Sequence, residues 1–274
     1  MICPSCGIEN LNSAKFCKKC GCRIEIIAPK APEPSESSPP PVVDSTPVTA
    51  SNTDNPNQIK IIKSPPSTFR KPIHYIWICD CSESMQQGGK MSAVNNAIPM
   101  AIKSIADFED SSNKARIFMN ALKFSCGAEW MYNDNIPVKS FQWENLNCEG
   151  ITDLGQAFLR LANLLKLQKD GGKMPEKAYP PVLVLITDGY PTDDWETGLR
   201  ELNKEFWAKN AVRLAFALEG ADRQVLEEFI GGNEDDKRDK IIEIRDLTKL
   251  ASEIKDKTTT YGQEKVRDRM PPGR

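Results

Sequence analysis

Three short stretches of this 274-residue chain carry oxygen-bearing side chains that could act together. They are Asp80-Cys81-Ser82-Glu83-Ser84, Gly150-Ile151-Thr152-Asp153 and Thr187-Asp188-Gly189. Singly, each has an ordinary reading. Asp80 and Ser82 cap a turn, Thr152 is the N-cap of the helix that follows it, and Asp188-Gly189 is a plain turn. Jointly, Asp80, Ser82, Ser84, Thr152 and Asp188 make a hard oxygen cage. That donor set suits Mg²⁺ or Mn²⁺, which take oxygen ligands in near-octahedral geometry and usually keep some waters. Few of the donors are charged, so such an ion stays electrophilic and favours an outside carboxylate.

A second constellation lies in the first 27 residues. Cys3-Pro4-Ser5-Cys6-Gly7 and Cys17-Lys18-Lys19-Cys20-Gly21 are two Cys-x-x-Cys-Gly knuckles. Thiolates from Cys3, Cys6, Cys17 and Cys20 can surround Zn²⁺ tetrahedrally. So short a segment has little core, and the metal would supply its folding energy. Cys22 is a spare. The remaining cysteines, Cys79, Cys81, Cys126 and Cys148, are scattered. The chain opens MICPSCG, without a basic segment leading into an apolar one, so it shows no secretory signal. The expected location is the cytoplasm and the scattered cysteines are expected to be reduced.

The elements that must position the oxygen set begin near Lys71. Residues 28–70 hold ten of the chain's 20 prolines with many Ser, Thr and Asn, a composition expected to give a disordered linker. HYIWICD (74–80) reads as a buried strand. Residues 90–108 carry apolar side chains at helical spacing, with Pro99 expected to kink the helix. Strands are expected at 115–125, 181–189, 211–218 and 241–246, and short edge strands at 128–133 and near Val138–Trp143. Helices are expected at 152–168, 193–209, 221–232 and 247–260, with Asp193 and Glu196 forming a capping box. Strands alternating with helices imply the α/β class, with a doubly wound, mostly parallel sheet covered on both faces. Sites in such sheets form at the carboxyl ends of the strands, where the three oxygen-bearing stretches fall.

Asp80-x-Ser82-x-Ser84, then Thr152, then Asp188 resembles the metal-ion-dependent adhesion site of von Willebrand factor A domains in order, spacing and placement. The resemblance covers residues 71–262 and leaves 263–274 as a flexible tail. It implies that Ser82 and Ser84 ligate the ion through their hydroxyls. Thr152 would ligate directly or through water, and Asp80 and Asp188 would hold bound waters or the ion. A partner's carboxylate would complete the shell. Asp-Cys-Ser-Glu-Ser-Met, a Gly-Gly pair and Ala-Val-Asn-Asn are most similar to the bacterial tellurium-resistance-type branch, which implies an intracellular role beside signalling or stress-response partners. Many family members have Gly between the two serines; here it is Glu83, whose carboxylate either points to solvent, the ordinary reading, or competes for the ion. The cysteine knuckles resemble the bacterial zinc-ribbon family.

Composition and motifs narrow the alternatives. With 36 basic and 38 acidic residues, no overall charge draws the chain to nucleic acid or membrane. No apolar run reaches the 18 residues of a membrane span. A nucleic-acid reading rests on Lys15, Lys18, Lys19 and Arg23 of the ribbon, a small electrostatic footprint. His74 is the only histidine, which removes Ser-His-Asp and Cys-His mechanisms, and a structural role is expected for it. A Mg²⁺-dependent phosphohydrolase is the competing enzyme. Enzymes resembling haloacid dehalogenases put a second Asp two residues after the nucleophile, where this chain has Ser82 and offers no general acid. The expectation is therefore a non-enzymatic module that binds a protein partner.

Overall fold

The computed structural model describes Glu9 and residues 70–112 and 114–267, apart from the side chains of Lys265 and Arg267. The ribbon cysteines Cys3, Cys6, Cys17 and Cys20, and the proline-rich segment as far as residue 69, lie outside the described residues.

In chain order the elements are β1 (Lys71–Asp80), α1 (Lys90–Ser112), β2 (Ala115–Ser125), β3 (Gly127–Trp130), β4 (Ile136–Pro137) and α2 (Leu154–Leu165). They continue with β5 (Val182–Thr187), α3 (Trp195–Leu202), α4 (Phe206–Asn210), β6 (Val212–Ala217), α5 (Arg223–Ile230), α6 (Glu234–Lys240), β7 (Ile241–Glu243) and α7 (Leu250–Arg267). The sheet order is β3-β2-β1-β5-β6-β7, with β4 also on β2. β2, β1, β5, β6 and β7 run parallel, and β3 and β4 return antiparallel at the edge.

Side chains alternate across β1 with the period of two that a strand imposes. Ile73, Tyr75, Trp77 and Cys79 join one buried cluster with α1 and α7. Ile76 and Ile78 join the opposite cluster with α2, α3 and α5. Full burial of each such aliphatic side chain stabilises the fold by about 1.5–3 kcal/mol. Both faces are therefore covered, as expected of near-continuous apolar strands.

Three expectations are corrected, and one helix, α6, was not expected. The helix expected at 193–209 is two helices, α3 and α4. The break brings Asn203 Oδ1 (2.6 Å) and the Ala208 carbonyl (3.0 Å) onto the guanidinium of Arg213, which also donates to the Phe229 carbonyl. Arg213 is buried on β6, and a buried guanidinium must find acceptors. Near Val138–Trp143 there is a 3₁₀ turn at Val138–Ser140 instead of an edge strand. A short helix, α6, lies beyond the one expected at 221–232. It is laced by Glu234–Lys237, Asp235–Arg238 and Asp236–Lys240 ion pairs. The last helix runs to Arg267, so the expected tail is helical over residues 263–267. Gly262 does not stop α7: a Cβ there would lie 1.7 Å from Tyr75 Oη, so glycine lets the helix pass over β1. Tyr75 Oη donates to the Thr258 carbonyl at the same crossing.

Candidate metal-ion site

The strand order reverses between β1 and β5: the chain moves from β1 to β2 on one side and from β5 to β6 on the other. Loops leaving the carboxyl ends of these two strands part there and open a crevice. Asp80 is the last residue of β1, and Asp188 follows the last residue of β5.

Asp80 is fully buried and both of its oxygens are engaged. The Ser82 amide donates to Oδ1 at 2.8 Å, and the Thr187 hydroxyl donates to Oδ2 at 2.5 Å. Burial pushes the Asp80 carboxyl above its usual range and nearby Asp188 adds to the shift, while the hydrogen bonds from Ser82 and Thr187 oppose it. Backbone bonds from Cys81 N to Phe124 O, Glu149 N to Cys81 O and Glu83 N to Gly150 O fix the loop beyond Asp80.

Within that loop the Ser82 and Ser84 hydroxyls are 3.0 Å apart, and Ser84 donates to Asp188 Oδ1 at 2.7 Å. Thr152 spends its backbone on Thr192: its amide donates to Thr192 Oγ1, and its carbonyl accepts from Thr192 N. It is not the helix cap. Asp153 holds the N-cap position of α2, and the amides of Gly155 and Gln156 donate instead to the two carboxylate oxygens of Asp193, each at 2.9 Å. Asp193 therefore does not cap its own helix either; Asp194 does, accepting from Thr197 N. The Thr152 hydroxyl is left for the crevice.

Gly189 shows that the donors converge. A Cβ built there would lie 3.3 Å from Thr152 Oγ1 and 3.8 Å from both Asp80 Oδ2 and Ser84 Oγ. The structure thus brings Asp80, Ser82, Ser84, Thr152 and Asp188 to one place from three loops. Among the described residues no three His, Cys, Asp or Glu side chains gather as a metal-binding group. The cradle is one of hydroxyls and two carboxylates, the chemistry that fits a small, hard divalent cation.

Sequence reasoning missed two members of this network. Thr187 ties β5 to Asp80. Lys90 Nζ lies 2.7 Å from Asp188 Oδ2 and also donates to the Glu219 carbonyl at 2.8 Å. One signal pointed to it: a lysine at the first position of a helix opposes the helix dipole, so a local negative partner is expected. On the rim, Glu83 is exposed. Tyr190 is 67% exposed, whereas Trp195 packs into the cluster under α2 and α3. Cys79, Cys81 and Cys148 are free thiols, as expected, but Cys126 is disulfide-bonded. The Cys148 thiol is pushed up to about 11, mainly by partial burial and further by Asp80 and Asp188, so it is protonated at neutral pH.

Solved structures share this arrangement of elements. One is described as von Willebrand factor type A from Catenulispora acidiphila: 17% identity, a TM-score of 0.50, covering 69% of this chain and 42% of that one. The fold is that of a von Willebrand factor A domain. The pilus adhesin SpaC from Lactobacillus rhamnosus GG matches with a TM-score of 0.54 at 10% identity, covering 73% of this chain and 31% of that one. A mutant of the PilB minor pilin from Streptococcus sanguinis matches with a TM-score of 0.50 at 14% identity, covering 76% and 65%. The chain thus spans less than two thirds of each of these neighbours. At such identities the likeness is one of fold. No family model matches the chain, and no curated protein sequence matches it. No helix among the described residues is long and apolar enough to cross a membrane.

Proposed function

We propose that this von Willebrand factor A domain is a non-enzymatic binding module that recognises a carboxylate on a protein partner through a divalent ion. Asp80, Ser82, Ser84, Thr152 and Asp188 would hold Mg²⁺ or Mn²⁺, and the ion would supply an electrophilic point for the partner's Asp or Glu. The observation that carries this reading is the convergence of the Thr152 and Ser84 hydroxyls and the Asp80 carboxylate beside Gly189, with the Ser82 hydroxyl and Asp188 Oδ1 both within hydrogen-bond distance of Ser84 Oγ. Asp80 and Asp188 supply charge, the hydroxyls supply neutral oxygens, and the bonds from Thr187 and Ser82 hold Asp80 in place.

The described residues give little support to the enzyme alternative. His74 is buried and stacked on Phe118, away from the carboxyl edge of the sheet. The motif's similarity to the tellurium-resistance-type branch supports a cytoplasmic role in stress response or signalling. Cys3, Cys6, Cys17 and Cys20 would hold Zn²⁺ in a ribbon that contacts protein rather than nucleic acid.

The test is affinity capture from native lysate with the full chain and with Asp80→Ala, in Mg²⁺. The reading predicts a partner retained by the wild type and lost by the variant. Partners captured equally by both would remove it. The variant is a cleaner control than a chelator, which would also strip a zinc site.

A further inference from the structure

Asp188 divides its two oxygens between opposite neighbours. Oδ1 accepts from Ser84, within the hydroxyl set; Oδ2 accepts from the Lys90 ammonium. The Asp188 side chain is fully buried and the Lys90 side chain is only 14% exposed, so water does little to weaken the pair. The third partner, the Glu219 carbonyl, lies past the end of β6. Lys90 therefore joins the start of α1 to the loops after β5 and β6, immediately behind the proposed ion site.

Resting on that metal-site reading, we infer that Lys90 is a specificity-determining residue: it withholds the charge of Asp188 from the ion, so that the ion selects a carboxylate over a neutral ligand. The argument is one of charge. Asp80 and Asp188 bring two negative charges and Lys90 returns one positive charge. A doubly charged ion in that setting leaves a single net positive charge, which one incoming carboxylate neutralises. With an uncharged residue at position 90, the two aspartates would balance the ion alone, and a carboxylate would bring an uncompensated charge into a poorly solvated crevice. Lys90 also fixes the direction of Asp188, presenting Oδ1 to the hydroxyl side and turning Oδ2 away. Its presence should weaken the binding of the ion and strengthen the binding of a carboxylate to the loaded site.

The test uses the full chain and Mn²⁺ alone, followed by water-proton relaxation, with Asp80→Ala as the blank. Lys90→Gln keeps donors for Asp188 and Glu219 without the charge; Lys90→Met removes both, and is a second neutral variant should the first fold poorly; Lys90→Arg keeps the charge. Both neutral variants should bind Mn²⁺ about tenfold more tightly than the wild type, and Lys90→Arg within about threefold of it. Acetate, added to the Mn²⁺-loaded proteins at constant ionic strength, should bind about tenfold more weakly to the neutral variants. Neutral variants that bind Mn²⁺ no more tightly than the wild type would overturn the role of Lys90. Tighter Mn²⁺ with unchanged acetate would overturn the carboxylate selection. A wild type that takes up no more Mn²⁺ than Asp80→Ala would instead remove the metal-site reading itself, and the inference with it.

Discussion

Thr187 and Asp80, 107 residues apart in sequence, meet through a 2.5 Å hydrogen bond that ties the ends of β5 and β1 together at the crevice. The bond fixes the carboxylate that anchors the proposed ion site, and it does so from a strand residue rather than a loop. Thr187→Val leaves a buried carboxylate oxygen without its donor and should cost about 1–3 kcal/mol. Thr187→Ser should recover most of that loss. Urea unfolding of the three proteins checks both expectations, and an unchanged midpoint for Thr187→Val would show that the bond contributes nothing.

Asp193 acts at one remove from the site. By accepting from Gly155 and Gln156 it caps α2, and the neighbouring Thr192 holds the backbone of Thr152. Asp193→Ala should destabilise the fold by about 1 kcal/mol, the usual effect of losing a helix cap. It should also weaken Mn²⁺ binding by letting Thr152 drift. Asp193→Asn, which keeps one accepting oxygen, should lie between the two. Denaturation and Mn²⁺ titration read the two effects separately.

His74 makes a pH signature specific to one residue. Burial lowers its pKa from 6.5 to about 4, and neither ring nitrogen has a hydrogen-bond partner. Below pH 6.5 the unfolded chain takes up a proton that the folded chain refuses, so stability falls as pH drops through this window. The loss should reach about 3 kcal/mol by pH 4. Carboxylates held above their usual range, such as Asp153 and Asp193, work in the opposite sense. The comparison is therefore between wild type and His74→Phe: their stability difference should change by about that amount between pH 7 and pH 4. A constant difference would contradict the burial argument.

Tyr190 stands 67% exposed two residues beyond Asp188. An exposed aromatic at the rim of a binding site is a natural contact for a partner. Tyr190→Ala should leave stability and Mn²⁺ affinity unchanged and weaken partner capture about tenfold or more. A variant that captures partner as well as the wild type would place the contact elsewhere on the rim.

Much of the domain was legible because its signals are local. The apolar runs of β1 and β5 mark buried parallel strands, and the oxygen-bearing residues sit directly at their ends. Ser82 and Ser84 share a loop, so their pairing needs no tertiary knowledge. What escaped was decided by distant contacts. Thr187 reaches Asp80 only through the pairing of β1 with β5. Lys90 meets Asp188 only after α1 is seated against the loop beyond β5. Arg213 splits a helix whose own sequence favours continuity, and the need for glycine at position 262 shows only once Tyr75 is seen beneath it.

The central claim is that five side chains from three loops hold one divalent ion. Its most direct test is the stoichiometry and affinity of Mn²⁺ on the full chain, measured by electron paramagnetic resonance of the unbound ion. Wild type, Asp80→Ala, Ser84→Ala, Thr152→Ala and Asp188→Ala would be compared. The account predicts one tight site in the wild type, abolished by Asp80→Ala and weakened about tenfold or more by each of the others. Equal Mn²⁺ binding by all five proteins, or none by the wild type, would contradict it.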